Sequence, residues 1–339
     1  MPKSALKLHP LAEQGWQQQL AQAITAPREL LRFVCVDEKH FPDCDQADRE
    51  FTVKVPHSYA AKMQPGDPRD PLLLQVMSRR QELHQVEGYS SDPVGDLRAM
   101  PVPGLLHKYH GRVLLVTTGA CAVHCRYCFR RHFPYQDNQP ARQHWQQALD
   151  YIAADDSISE VILSGGDPLV LGDSRLAELL DSLQRIPHIQ RLRIHSRLPV
   201  VLPARITDTL IALLAGSRLH CSLVIHANHR NEIADADLPI LRKLAAAGIC
   251  LLNQAVLLRD INDSSQCQQA LCERLFEARI LPYYLHLLDP VQGAAHFDLA
   301  TDEANHIISH LRQQLPGYLV PKLVRETPGE KSKTPVFGL

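Results

Sequence analysis

The sequence predicts an α/β fold, a partial (β/α)6 barrel over residues 101–339 behind a mainly helical N-terminal region and linker over residues 1–100. Three observations predict it. From Arg112 onward, short runs rich in Val, Ile and Leu alternate with longer amphipathic segments, the pattern of a buried parallel sheet wrapped by helices. Upstream of residue 100 the chain is instead polar, rich in Gln and Ala, and broken by prolines. The residues able to do chemistry also collect at one end of the proposed strands. Cys121, Gly165, His195, His226, Gln254 and Asp289 lie at or just past carboxyl ends, where barrels of βα units carry their sites.

In chain order, Trp16 to Ile24 reads as a first helix, and Pro27 opens a second at Arg28, since proline suits the first turn. Leu72 to Val86 reads as a third helix, with loops marked by Pro56, Pro65, Gly66, Pro68 and Pro71. Asp92 to Gly104, with three prolines and two glycines, reads as a linker. The strands follow at Val113–Thr118, Glu160–Ser164, Arg191–His195, His220–His226, Cys250–Leu257 and Leu281–Leu287. Helices are expected near Gln143–Ala153, Ser174–Gln184, Ile206–Leu214, Leu238–Ala246, Ser265–Ala278 and Asp302–Gln314. Six such units fall short of the eight that close a full barrel.

Composition narrows the function classes. Hydrophobic residues make up 45% and charged residues 22% of 339, ordinary for a globular protein. A net charge of −1 offers no general surface for nucleic acid or membrane. No apolar run is long enough to span a bilayer. Met1 to His9 has no apolar core of the kind a secretory leader carries. With nine cysteines, an odd number, the expected setting is a reducing cytoplasm of free thiols. Cys35, Cys44, Cys221, Cys250, Cys267 and Cys272 are scattered and read as structural.

The remaining three cysteines form Cys121-Ala-Val-His-Cys125-Arg-Tyr-Cys128, three thiols within eight residues. Thiolates are soft ligands for zinc or iron–sulfur clusters. Structural zinc wants four protein ligands, usually as two C-x-x-C pairs, and no second pair exists here. A four-iron cluster held by three cysteines leaves one iron open to a small molecule. The C-x-x-x-C-x-x-C spacing, with Tyr127 before the last cysteine, resembles the radical S-adenosylmethionine (SAM) superfamily. That resemblance implies a 4Fe–4S cluster at Cys121, Cys125 and Cys128, with SAM chelating the open iron and cleaved by one electron to a carbon radical.

Other motifs sit around it. Gly165-Gly166, after the second strand, allows close backbone approach to a ligand and resembles the glycine-rich segment that binds the amino group of SAM. His195-Ser196-Arg197, His226 and Asn253-Gln254 close the next three strands. An arginine at a strand end suits a carboxylate. Near the C-terminus, Lys333 stands in a stretch bounded by Pro328, Gly329 and Pro335. Lysine is also the residue that forms Schiff bases with pyridoxal 5′-phosphate (PLP). Lys108, Tyr109 and Arg112 before the first strand make a candidate phosphate site.

From residue 90 to the end, the wider run of motifs resembles the lysine 2,3-aminomutase family. It comprises Phe129-Arg130-Arg131-His132-Phe133, Asn253-Gln254-Ala255-Val256-Leu257-Leu258-Arg259, Tyr283-Tyr284-Leu285-His286-Leu287-Leu288-Asp289, Pro328-Gly329 and Lys333-Thr334-Pro335-Val336. The resemblance implies a partial (β/α)6 radical-SAM barrel that moves the α-amino group of L-lysine to the β-carbon with SAM, a cluster and PLP. It assigns PLP to Lys333, with Arg112 facing its phosphate and Tyr109 nearby. Gly165, Gly166, Ser196, His226 and Gln254 would belong to cofactor pockets. Arg130 would hold the substrate carboxylate, and Asp289 and Glu326 the distant ε-ammonium. An electron donor of flavodoxin or ferredoxin type is implied.

Glu326 stands where fermentative members carry Asp, and His286 where they carry Tyr; those members also continue further past the lysine. These departures resemble the short bacterial subclass that makes (R)-β-lysine for elongation factor P, to which a separate ligase attaches it. Two other readings stand beside this one: an aminomutase for another amino acid, and a cluster-bearing sensor or scaffold without catalysis. Asp289 and Glu326 weigh against glutamate, whose side-chain carboxylate they would repel. The scaffold leaves Lys333 without a role.

Overall fold

A computed structural model describes residues 15–135 and 142–337; Met1 to His9, examined above for a leader, lie outside them. Nine strands form one sheet in chain order. β1 (Leu105–Tyr109) pairs antiparallel with β2 (Arg112–Thr118). β3 (Glu160–Gly165), β4 (Arg191–Ser196), β5 (His220–Ile225), β6 (Cys250–Val256), β7 (Leu281–His286) and β8 (Lys322–Arg325) continue it in parallel. β9 (Thr334–Pro335) returns antiparallel on β8. The partial, unclosed barrel is as expected. Its sheet, however, has three strands more than the six read from sequence: β1, β8 and β9. β8 has four residues and β9 two, too few for a two-residue period to show.

Alternation along each strand decides what reaches the barrel interior. One set of positions, including Val113, Leu115, Val161, Leu163, Leu192, Ile194 and Leu223, is buried in the core. The core also holds Leu176, Leu179 and Leu183 of the helix Asp173–Gln184, and Leu241 and Leu244 of Leu238–Ala246. The alternate set lines a central cavity: Leu106 and Lys108, Arg112 and Leu114, Ile162 and Ser164, Arg193 and His195, Gln254 and Val256, Tyr284 and His286.

The N-terminal region shares this core through Leu30, Leu31, Tyr59, Leu72 and Met77. The expected helix Leu72–Val86 is not continuous. Asp70 caps a helix Pro71–Leu74 by accepting from the Leu72 and Leu73 N–H groups. A 3₁₀ turn follows only at Arg80–Leu83. The break has a physical reason: Gln75, Ser78 and Glu82 are all buried and polar, and each needs partners that one straight helix would not reach. Gln75 and Glu82 turn toward the cysteine loop. The expected linker Asp92–Gly104 is also not a loose spacer. It carries a 3₁₀ turn at Leu97–Ala99 and buries Asp96 at 3% exposure among charged partners at the barrel mouth.

Candidate active site

Cys121, Cys125 and Cys128 are free thiols lining a cavity of about 490 Å³ at the carboxyl ends of the strands. The side chains between and after them pin the loop. Arg126 is fully buried; its Nε and Nη2 donate to Glu82, and its Nη1 donates to the Phe51 carbonyl. Its backbone N–H donates to the Gln75 carbonyl at 2.9 Å. Tyr127 Oη accepts from Asn228 Nδ2 at 2.7 Å, and Arg131 lies 3.0 Å from Glu82. Burial, and then neighbouring negative groups, push the Cys121 thiol well above its usual range. Burial pushes Cys128 up to about 11.

Buried thiols crowded this way resist ionisation until a metal supplies positive charge, so the donor set fits a metal cluster. Among the described residues no three His, Cys, Asp or Glu side chains converge on a single metal ion. Three thiols that each bind a different iron need no such convergence.

The glycine turn serves this loop. Gly165 has φ of +120°, and a Cβ there would lie 2.6 Å from the Thr118 carbonyl oxygen. A Cβ on Gly166 would collide with the Ala120 carbonyl. The Gly166 and Asp167 N–H groups donate to the Thr118 and Ala120 carbonyls at 2.7 and 2.9 Å. The close approach that these glycines permit is therefore made by the chain's own cysteine loop. Gly166→Ala is expected to displace Ala120 and Cys121, lower stability by about 1–3 kcal/mol, as overpacking does, and reduce iron retention. Iron content alongside a thermal melt checks it, and a wild-type result in both contradicts the packing argument.

Asp167, buried, organises the exit of β4. Its Oδ1 accepts from Ser196 Oγ at 2.7 Å, and its Oδ2 accepts from the Arg197 N–H at 2.8 Å. The Ser196 hydroxyl therefore points its proton at Asp167. His226 Nε2 lies 3.3 Å from His195 Nδ1. Burial pushes His226 down to about 4 and His195 and His286 well below their ordinary value, so all three are neutral near pH 7. The Nε2 atoms of His195 and His286 are buried without a partner among the described residues. Gln254 lines the same cavity.

At the mouth, the β8–β9 pairing sets Arg325 opposite Thr334, which brings the flanking residues Glu326 and Lys333 together. Lys333 Nζ lies 2.5 Å from Glu326 Oε2, and Tyr109 Oη donates to Glu326 Oε1 at 2.7 Å. Lys108 Nζ is 3.6 Å from that same Oε1 and 2.6 Å from Asp96 Oδ1. Asp96 Oδ2 accepts from Arg130 Nε at 2.7 Å, and Arg130 Nη1 donates to Ser164 Oγ at 3.1 Å. One chain of charged groups thus runs from Lys333 to Arg130. Arg112 stacks over the Tyr109 ring at 4.7 Å. Burial raises Glu326, but Lys333 and the bonds from Lys333 and Tyr109 outweigh it and hold the carboxyl below its usual range.

Asp289 contrasts with this. It lines the cavity, its Oδ1 is buried without a partner among the described residues, and burial pushes it up to about 7 against the pull of Lys333.

The cavity therefore gathers every site residue proposed from sequence. Arg130 and Glu326, expected to face substrate, already hold partners within the protein. Ser164 opens the glycine motif read from the sequence, whereas Asp96, Glu82 and Gln75 were not anticipated: Asp96 lies in a stretch that reads as linker, and Gln75 and Glu82 in one that reads as continuous helix.

Residues 115–265 match the model of the radical SAM superfamily. Over 326 residues the chain is 50% identical to an L-lysine 2,3-aminomutase of Escherichia coli (strain K12), covering 96% of this chain and 95% of that protein. An L-lysine 2,3-aminomutase of Haemophilus influenzae is also 50% identical, over 95% of each chain. The enzyme of that name from Clostridium subterminale is 36% identical over 95% of this chain but only 77% of its own length. The similarity thus reaches upstream of residue 90, into the N-terminal helical region. On this evidence the chain belongs to the lysine 2,3-aminomutase family of radical SAM proteins.

Proposed function

We propose that this protein isomerises L-lysine to β-lysine, with a 4Fe–4S cluster on Cys121, Cys125 and Cys128, SAM on the open iron, and PLP on Lys333. The observation that carries the reading is one cavity lined by three free thiols, a lysine amine and a buried carboxylate, Asp289, that has an oxygen without a partner among the described residues. When bound, the cluster with SAM supplies a carbon radical that abstracts hydrogen, and PLP supplies the carbonyl that carries the migrating amino group.

The protein's own residues do the rest. Glu326 accepts a hydrogen bond from Lys333 across 2.5 Å, which keeps the amine positioned. Arg112 provides a cation for a phosphate, and Tyr109, whose hydroxyl proton is held by Glu326, lies beneath it. Asp96 and Ser164 fix the guanidinium of Arg130, which presents it to a substrate carboxylate in one orientation. Asp289 takes the ε-ammonium. The neutral state of His195, His226 and His286 matters here, because three imidazolium charges would repel a lysine side chain.

Asp289→Asn is expected to lower lysine turnover by at least about tenfold, equivalent to about 1.4 kcal/mol, with iron and PLP retained. Buried charge pairs lose about 2–5 kcal/mol when one partner is neutralised. Unchanged kinetics with lysine in both Asp289→Asn and Glu326→Gln, in protein holding both cofactors, would remove the lysine-specific reading and leave a broader aminomutase.

The pH dependence has a definite sign. Burial raises the empty-site Asp289 carboxyl to about 7, so below that pH it is protonated and lysine must displace a proton to bind. KM for lysine is expected to rise as pH falls below about 7 in the wild type, and this limb is expected to vanish in Asp289→Asn.

The finer proposal is that the product is (R)-β-lysine and that it serves modification of elongation factor P. It is supported by Glu326 and His286, which stand at positions where the fermentative enzymes carry Asp and Tyr. Chiral chromatography of product formed anaerobically from L-lysine, SAM and a reductant of flavodoxin or ferredoxin type tests it. (S) product, or no transfer to the factor in the presence of its ligase, overturns it.

A further inference from the structure

We infer that Arg197 is a positioning residue for electron entry: through its bond to Cys125 it raises the potential at which the cluster is reduced, and Glu232 limits that rise. The inference rests on the reading that Cys125 is a cluster ligand. Arg197 follows β4 and is 5% exposed. Its Nη1 lies 2.8 Å from Cys125 Sγ. Among the described residues this is the one side-chain N–H bonded to any of the three cysteine sulfurs.

The guanidinium is not free to turn away. Nη2 donates to Gln75 Oε1 at 2.6 Å, Glu232 Oε2 at 2.9 Å and Tyr59 Oη at 3.0 Å. The Arg197 N–H is held by Asp167. Glu232 is equally anchored: its Oε1 accepts from Gln75 Nε2 and from the Asn228 and His229 N–H groups.

Adding one electron to a cluster places more negative charge on its thiolate sulfurs. A donor fixed on one sulfur therefore stabilises the reduced form more than the oxidised form. Burial leaves little water to screen the effect. The carboxylate of Glu232 is bonded to the other terminal nitrogen of the same guanidinium and offsets its charge, so the two residues act with opposite signs. Tyr59 and Gln75 come from the N-terminal region, which gives that layer a part in the redox chemistry.

The test is the midpoint potential of the reconstituted holoprotein without SAM, titrated with dithionite as one-electron donor and followed by electron paramagnetic resonance. Arg197→Gln is expected to lower the potential so that the reduced-to-oxidised ratio at fixed poise falls at least about tenfold, about 59 mV for one electron. Glu232→Gln, which keeps the shape of the side chain, is expected to raise the ratio by a comparable factor. Shifts of opposite sign, with wild-type iron content, bear the inference out. Unmoved potentials, or shifts of the same sign, overturn it. If Arg197→Gln fails to retain iron, Glu232→Gln decides alone: a rise supports and anything else refutes. A wild-type protein that reconstitutes no cluster defeats the cluster reading itself, a distinct result.

Discussion

Replacing Cys125 by Ala is expected to abolish both the iron–sulfur absorbance and all measurable turnover, and the same holds for Cys121 and Cys128. Three thiolates would hold a four-iron cluster with one iron left open for SAM; two would leave a second iron without a ligand and the cluster prone to loss. Among the described residues no other cysteine lines the cavity to supply a substitute thiol. The loop itself is expected to survive. It is pinned by Arg126, Tyr127 and Arg131 rather than by the sulfurs, so circular dichroism of the apoprotein stays near wild type while iron falls. Cys250→Ala, at an exposed position on β6, is the control and is expected to keep full iron content. Wild-type iron and activity in Cys125→Ala would sink the cluster assignment.

The second large effect is expected at Lys333. A methyl group cannot form a bond to the PLP carbonyl, so Lys333→Ala loses covalent PLP and turnover while keeping the cluster, which is built from a different segment. Borohydride reduction and peptide mapping of the wild type are expected to place PLP on Lys333. Finding it on Lys331, Lys322 or Lys108 would show that the wrong lysine was matched; Lys108 also lines the cavity. The fold should tolerate the change, because Tyr109 still donates to Glu326 and Lys108 lies 3.6 Å away as a replacement cation. The loss of Lys333 therefore leaves no bare buried carboxylate, the situation that usually unfolds a variant.

Much of this site was legible before any coordinates, for a reason visible in each motif. Three thiols in one short loop are close whatever the rest of the chain does. Lys333 and Glu326 are near in sequence, and one hairpin pairs them. The strands of the barrel announce themselves because a two-sided buried sheet needs apolar runs, and the runs from Val113 to Leu287 supply them. Where the reading failed, the signal was short or ambiguous. β8 has four residues, and the polar run after Leu74 reads as helix because burial of Gln75 and Glu82 leaves no local trace in the sequence.

By itself, then, the sequence determined the local relations: the period of the strands, the cysteine spacing, and the glycines that let Gly166 pass under Ala120. The tertiary structure alone decided which charges meet. Arg130 meets Asp96 across 34 positions, Arg197 meets Cys125 across 72, and Tyr109 meets Glu326 across 217. Such pairings follow from strand register and from how the N-terminal layer packs on the barrel, and spacing along the chain carries no trace of either. The same physics separates Asp289 from Glu326. Both are carboxylates past strand ends, but the hairpin gives Glu326 a lysine and a tyrosine, whereas burial leaves an Asp289 oxygen without a partner among the described residues.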